Sequence, residues 1–349
     1  MRTRRRRNYM TLHSDISDES RESLAKAYNE IYQDAIDREA GRKFERMSER
    51  YKDGMWERIL LRLRLFSRPV TGGTFLDYGC KFGHLTPILM ERGAKNVISV
   101  DVDDEYLSDG AKFIGEKYNS TYFKSDDCYL DIESNSVDFI LVNEVISHIN
   151  PSLVENFYSE CSRVLKEGGE IVISDGNNYS HLKTRMDLID WYSLWDGGHS
   201  KEFGESNYEK KRFVTLRRAF KERKLDQEKL EYYAHNTAGL HGDRLIETVR
   251  RALDEGVFIE RPHRPGIPPI HPNYGVAMER AFYPLQVEMS LRTYGLDTVQ
   301  LIGAGAPRPI AGEHERGKTK NFVIRGVKLP ESIEALQEYA KTDTTKVDE

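Results

Sequence analysis

Cysteine is scarce: Cys80, Cys128 and Cys161 are the only three in 349 residues. So few, so widely spaced, they exclude a disulfide framework and a four-thiolate zinc site, and they suit a reducing compartment. No run of 18 apolar residues occurs, which excludes a membrane-spanning helix, and the arginine-led start lacks the apolar stretch of a signal peptide. Neither sign of charge dominates. With 52 basic and 57 acidic residues the net charge is −5, which argues against a nucleic-acid partner drawn by a global positive field. What is present is ample: 38% of residues are apolar, enough for a sizeable core. These features lead us to expect a soluble, cytoplasmic protein.

Residues 1–70 read as a tail and a helical cap. Arg2 and Arg4–Arg7 form a basic cluster, read as a solvated tail. Leu24, Tyr28, Ile31 and Ala35 then recur at helical spacing, as do Trp56, Ile59, Leu60, Leu63 and Phe66. From Thr74 the pattern changes to short apolar runs separated by helical stretches. Strands are expected at Thr74–Leu76, Val97–Val100, Thr121–Phe123, Val137–Val142 and Glu170–Ser174. Helices are expected over Leu85–Arg92 and Leu153–Lys166, the second introduced by Asn150-Pro151 and closed by Gly168-Gly169. Such alternation predicts an α/β fold with a doubly wound, mostly parallel sheet.

The alternation breaks over 176–275, a stretch rich in histidine and aromatic residues, and resumes over 276–330 before a charged tail at 331–349. A basic helix is expected over Lys210–Lys224, and another with Leu245, Val249 and Leu253 on one face between Asp243 and Gly256. Ala277–Tyr294 reads as a helix, with Thr298–Ile302 and Phe322–Val327 as closing strands.

The most informative segment is Asp77-Tyr78-Gly79-Cys80-Lys81-Phe82-Gly83, where the first strand turns into a helix. Glycine frees such a turn for close backbone approach to a ligand, and the helix N-terminus adds free N–H groups. The second strand ends in Val100-Asp101, where a carboxylate can meet a ribose diol. A dinucleotide site would need a third glycine at a spacing that is absent here. The segment resembles the first motif of class I S-adenosylmethionine-dependent methyltransferases, with Lys81 in place of the middle glycine. The resemblance covers 71–175 and, more weakly, 276–328, and implies a seven-stranded sheet that binds S-adenosylmethionine. It also implies that Gly79 and Gly83 approach the methionine part and Asp77 helps to hold its ammonium, with Cys80 among the cofactor-binding residues, and that Asp101 takes the ribose and Val102 contacts the adenine. Asp126 and Asp127 match the position near the adenine amine, and Asn143 the loop after the fourth strand.

Methyl transfer needs an acceptor and a place for its proton. His148, just past the fourth strand, is the candidate base, with packing on the loop as the alternative. Asn177 and His181 follow the fifth strand, with Asp175 and Asn178, and Trp191 and Trp195 offer stacking surfaces; all four of Asn177, His181, Trp191 and Trp195 are candidate acceptor contacts. His199, His235, His241, His263 and His271 show no metal-ligand spacing, so no metal is expected. The expected reaction is methylation of a small-molecule or glycan acceptor at oxygen. Nitrogen or carbon methylation, and a catalytically silent donor-binding subunit, are the alternatives. The 176–275 insertion is expected to act as an acceptor lid, with homo-oligomer formation as its other use.

Overall fold

The computed structural model of the chain describes residues 63, 65–197, 208–262, 267–303 and 319–330. The expected helices of the first 62 residues, the arginine cluster, His199, His263 and the tail from 331 lie outside the described residues. Seven strands form one sheet: β1 Thr74–Tyr78, β2 Asn96–Asp101, β3 Thr121–Lys124, β4 Val137–Asn143, β5 Leu165–Asp175, β6 Leu296–Gly303 and β7 Phe322–Lys328. Their order is β3-β2-β1-β4-β5-β7-β6. β1 with β2 and β2 with β3 are parallel, while β7 runs antiparallel to both β5 and β6. This is the expected doubly wound α/β sheet. No helix among the described residues is long and apolar enough to cross a membrane.

Two compact units divide the chain. The first is the part up to Lys124 with Ser136–Leu141; the second is Ser125–Asn135 with everything from Val142. In the first unit the strands are near-continuous apolar runs, as strands covered on both faces must be. Phe75, Leu76, Val97 and Phe139 are fully or almost fully buried. Phe66 meets Phe75 and Phe139 edge-on, at ring distances of 5.6 and 5.3 Å. Helix α1, Thr86–Glu91, begins with Pro87 in its first turn and buries Ile88 and Leu89. Helix α2, Asp104–Gly110, is capped by Asp103, whose carboxylate accepts from the Glu105 and Tyr106 amides.

In the second unit a 3-10 turn, Pro151–Leu153, leads into α3, Val154–Val164. Asn150 caps that turn by accepting from the Ser152 amide. α3 buries Val154, Phe157, Tyr158, Cys161 and Val164, one stripe of a 3.6-residue repeat. It does not reach Gly168: the chain turns extended at Leu165 and β5 starts there. Four more helices follow: α4 Leu182–Gly197, α5 Tyr208–Ala219, α6 Gln227–Asn236 and α7 Gly242–Glu255. Leu216, Phe220, Leu230, Tyr233, Ala234, Leu245, Val249 and Ala252 form the core of the last three. Asp243 stands in the first turn of α7 and does not cap it, whereas Gly256 closes it at φ 66° as expected.

The expected Ala277–Tyr294 helix is shorter. Helix α8 spans Pro284–Thr293, with Tyr283 extended before it. A residue preceding proline is pushed out of the helical region, so Pro284 begins the helix and cannot lie inside it. Residues 277–283 are therefore free to run irregularly, and that freedom matters below.

Candidate functional site

The loop after β1 in the first unit builds from backbone geometry. Gly79 and Gly83 adopt φ of 79° and 72°, which suits glycine. Lys81 also lies in the left-handed region, at φ 53°. The middle position of the motif therefore needs the glycine conformation, and a lysine supplies it against a steric cost. The Lys81 amide donates to Asp101 Oδ2 at 2.8 Å, and the Val102 and Asp103 amides donate to Oδ1 at 2.8 and 3.1 Å. Three of the roughly four lone-pair positions of that carboxylate are thus in use, leaving one for a ligand hydroxyl. Val102 itself is half-buried.

Gly83 has a second reason to be glycine. A Cβ there would run into the Tyr122 hydroxyl, which donates to the Phe82 carbonyl at 3.2 Å. Its spacing signalled ligand approach; its close neighbour is this chain's own tyrosine.

Asp77 is 4% exposed, and its Oδ2 has no hydrogen-bond partner among the described residues. Burial, and then the neighbouring Asp101 carboxylate, push its carboxyl up to about 8. Burial likewise raises the Cys80 thiol, so Cys80 packs and does not react. A buried carboxylate oxygen with an unmet need fits a ligand ammonium, and the one vacant Asp101 position fits a ribose hydroxyl. The loop thus fits S-adenosylmethionine.

In the second unit, Asp126 and Asp127 are exposed in the loop after β3, where Asp127 accepts from the Tyr129 amide. Asn143 ends β4 with its Oδ1 buried and without a hydrogen-bond partner among the described residues. Asp175, fully buried at the end of β5, accepts from the Ser147 and Asn177 amides at 3.1 and 3.0 Å. Burial, then Glu144, raises it to about 7. His148 Nδ1 lies 3.2 Å from the Ala277 carbonyl oxygen, and its Nε2 lies 3.8 Å from Glu279 Oε1. Asn177 Nδ2 donates to Glu279 Oε2 at 2.6 Å.

The other candidate acceptor contacts are less concentrated. His181 Nδ1 accepts from the Thr184 amide and meets Thr184 Oγ1, which gives it a helix-capping role at α4. Trp191 is 44% exposed, and Trp195 lies against Tyr208 at 5.8 Å. The other described histidines of the 176–275 stretch are engaged in local structure: His235 with Glu209, His241 beside Asn150, His271 beside Lys211.

Sequence reasoning missed Glu279 and Tyr192, whose hydroxyl donates to the Glu279 carbonyl at 2.8 Å. Reading 277–294 as one helix placed Glu279 on a helix, and Pro284 was the signal that would have released it.

The sheet order, the glycine turn after β1 and the acid ending β2 define a class I methyltransferase-like α/β fold. Residues 76–173 match the family model described as a methyltransferase domain. This part of the chain is thus similar to S-adenosylmethionine-dependent methyltransferase domains. Among curated proteins, the chain is 34% identical over 117 residues to N-terminal Xaa-Pro-Lys N-methyltransferase 1-A of Xenopus laevis, covering 33% of this chain and 51% of that protein. The Rattus norvegicus N-terminal Xaa-Pro-Lys N-methyltransferase 1 is 31% identical over 102 residues, covering 29% and 46%. The chain thus spans about half the length of the curated relatives it matches. Among solved structures, a putative S-adenosylmethionine-dependent methyltransferase from Listeria monocytogenes is 14% identical, with a TM-score of 0.42 over 80% of this chain and 100% of that one.

Proposed function

We propose that the chain transfers the methyl group of S-adenosylmethionine to an acceptor received by the loops that follow β4 and β5. The observation that carries this is the β1 loop: a buried carboxylate oxygen of Asp77 without a partner among the described residues, inside the segment that matches a methyltransferase domain. Asp77 takes the donor's ammonium, the Gly79–Gly83 backbone lies along its methionine part, Asp101 takes a ribose hydroxyl, and Val102 faces the adenine. When bound, the donor supplies a methyl group activated by the adjacent sulfonium. The chain's own work is alignment, exclusion of water and acceptance of a proton. His148 Nε2 is the proton acceptor, because a neutral ring that donates from Nδ1 to a carbonyl keeps its lone pair on Nε2.

The acceptor expected from the sequence is a hydroxyl of a small molecule or glycan. The relatives are named for N-methylation of protein N-termini, and that makes an amine the second reading. Either way, 176–275 serves as the acceptor lid. It is supported by Phe282 and Tyr192 anchoring the segment 279–282 to Asn177 and to α4.

Calorimetry tests the donor assignment. Asp101→Ala loses roughly 1.5–3 kcal/mol of donor affinity, the scale of a charge-assisted hydrogen bond. Gly79→Val abolishes binding, since φ 79° excludes a β-branched side chain. Unchanged affinity in both variants refutes it.

A further inference from the structure

Lys211 of α5 points its amine at an imidazole instead of an acid. Its Nζ lies 2.9 Å from His271 Nε2, so one of the two nitrogens must accept a hydrogen bond from the other. The far side of the ring decides which. His271 Nδ1 accepts from the Asn273 and Tyr274 amides at 3.2 and 3.3 Å, so its lone pair is taken and the ring proton sits on Nε2. That N–H then points at Nζ, and only an uncharged amine has a lone pair to receive it.

The surroundings fix this arrangement. The His271 amide donates to the Val276 carbonyl, and its own carbonyl accepts from the Gly275 amide. Tyr274 stacks on the ring at 4.7 Å, and Tyr208 meets it edge-on at 5.1 Å. Thr215 Oγ1, one turn along α5 from Lys211, lies 2.9 Å from Asn273 Oδ1 and ties the helix to that turn. A charged Lys211 donating to Nε2 would force the ring proton onto Nδ1, against two amide N–H groups. The Tyr208 ring, 5.4 Å from Nζ, attracts a cation, but it is farther off than the opposing ring N–H.

Among the described residues no carboxylate lies within ion-pair distance of Nζ to favour the charged form. Asp196 of α4 is taken by Arg212 and Arg261, and Glu209 of α5 by His235 and Arg261. Glu279, near Tyr208, is held by Asn177. Burial accordingly lowers the Lys211 amine below its ordinary value, and burial together with Lys211 brings the His271 ring down to about 4.

We infer that Lys211 presents an uncharged, nucleophilic amine that captures aldehydes as an imine, an activity separate from methyl transfer. The Nζ lone pair adds to the carbonyl carbon and gives a carbinolamine. Nε2–H, released from Nζ, can donate to the carbonyl oxygen as charge develops there. Both hydrogens of the amine then leave with that oxygen as water, and the C=N bond remains. Lys211 is partly exposed, which lets a small aldehyde reach it.

The test treats the full chain with benzaldehyde and cyanoborohydride, which traps an imine as a benzylamine, and maps the labelled lysines by mass spectrometry. Near neutral pH Lys211 is labelled about tenfold faster than the exposed Lys221 just beyond α5, and the advantage shrinks near pH 10, where ordinary lysines also lose their charge. His271→Asn, whose side-chain oxygen can still accept from the 273 and 274 amides, leaves nothing at Nε2 and brings Lys211 down to the rate of Lys221. Should that variant not fold, the ring nitrogen signals of the labelled native chain decide, since they place the His271 proton on Nε2. A proton on Nδ1, no preference for Lys211 near neutral pH, or a preference that survives in folded His271→Asn overturns the inference. Neither readout involves S-adenosylmethionine, so failure here and failure of methyl transfer remain distinct.

Discussion

A lysine held at φ 53° is a local contradiction between side chain and backbone, and its removal has a calculable sign. Lys81→Gly relieves the Cβ clash but adds freedom to the unfolded chain, so the net gain is up to about 1 kcal/mol. Lys81→Ile, β-branched, loses more than that; thermal unfolding of the two variants should bracket the native chain. Gly83→Ala places a methyl against Tyr122, and adding Tyr122→Leu should recover part of the lost stability. Asp77 makes a pH prediction. Its carboxyl holds its proton up to about 8 in the folded chain, against 3.8 ordinarily. Its contribution to stability is therefore fully present below about pH 4 and is lost as pH rises toward 8. A donor ammonium beside Oδ2 favours the ionised form, so binding near pH 7 should expel up to about one proton. Binding enthalpies measured in phosphate and in Tris should then differ; identical enthalpies would refute an ammonium at Asp77.

The same reasoning extends to whole elements through Arg212 of α5, which is fully buried. Its Nη1 pairs with Asp196 of α4 at 2.9 Å and its Nε donates to the Ala234 carbonyl of α6 at 2.7 Å. Arg261 adds a second contact to Asp196 at 3.1 Å. Asp196→Ala strands a buried cation and should cost about 3 kcal/mol or more, whereas Arg212→Met with Asp196→Leu should cost much less. Urea unfolding of the single and double variants checks this. None of that pairing was legible beforehand: the stretch from Lys210 read only as a basic helix, because charge alone does not say which arginine turns inward. The strands and the β1 loop were legible because each depends on neighbours a few residues away. Apolar runs mark strands, and a glycine turn with a following acid marks the donor loop. Glu279 was not, since its role arises from contacts with His148 and Asn177, which lie far away in the chain.

At the scale of the molecule, the lid proposal predicts where protection against hydrogen exchange should rise. Adding donor product and acceptor should slow exchange over residues 176–197 and 235–262. Slowing that follows protein concentration instead, with no ligand response, would assign the region to self-association. The sheet carries one more consequence. β5 takes β7 as its antiparallel partner, with Asp175 opposite Phe322, so the five helices α4–α8 and strand β6 are made between them. During synthesis the hydrogen-bonding groups along that side of β5 leave the ribosome long before the strand that will satisfy them. Pairings so distant in sequence close slowly, and an open strand edge is a template for the wrong neighbour. A nascent chain stalled before Phe322 should therefore depend on chaperones, and should be more prone to aggregate than one released after Lys328.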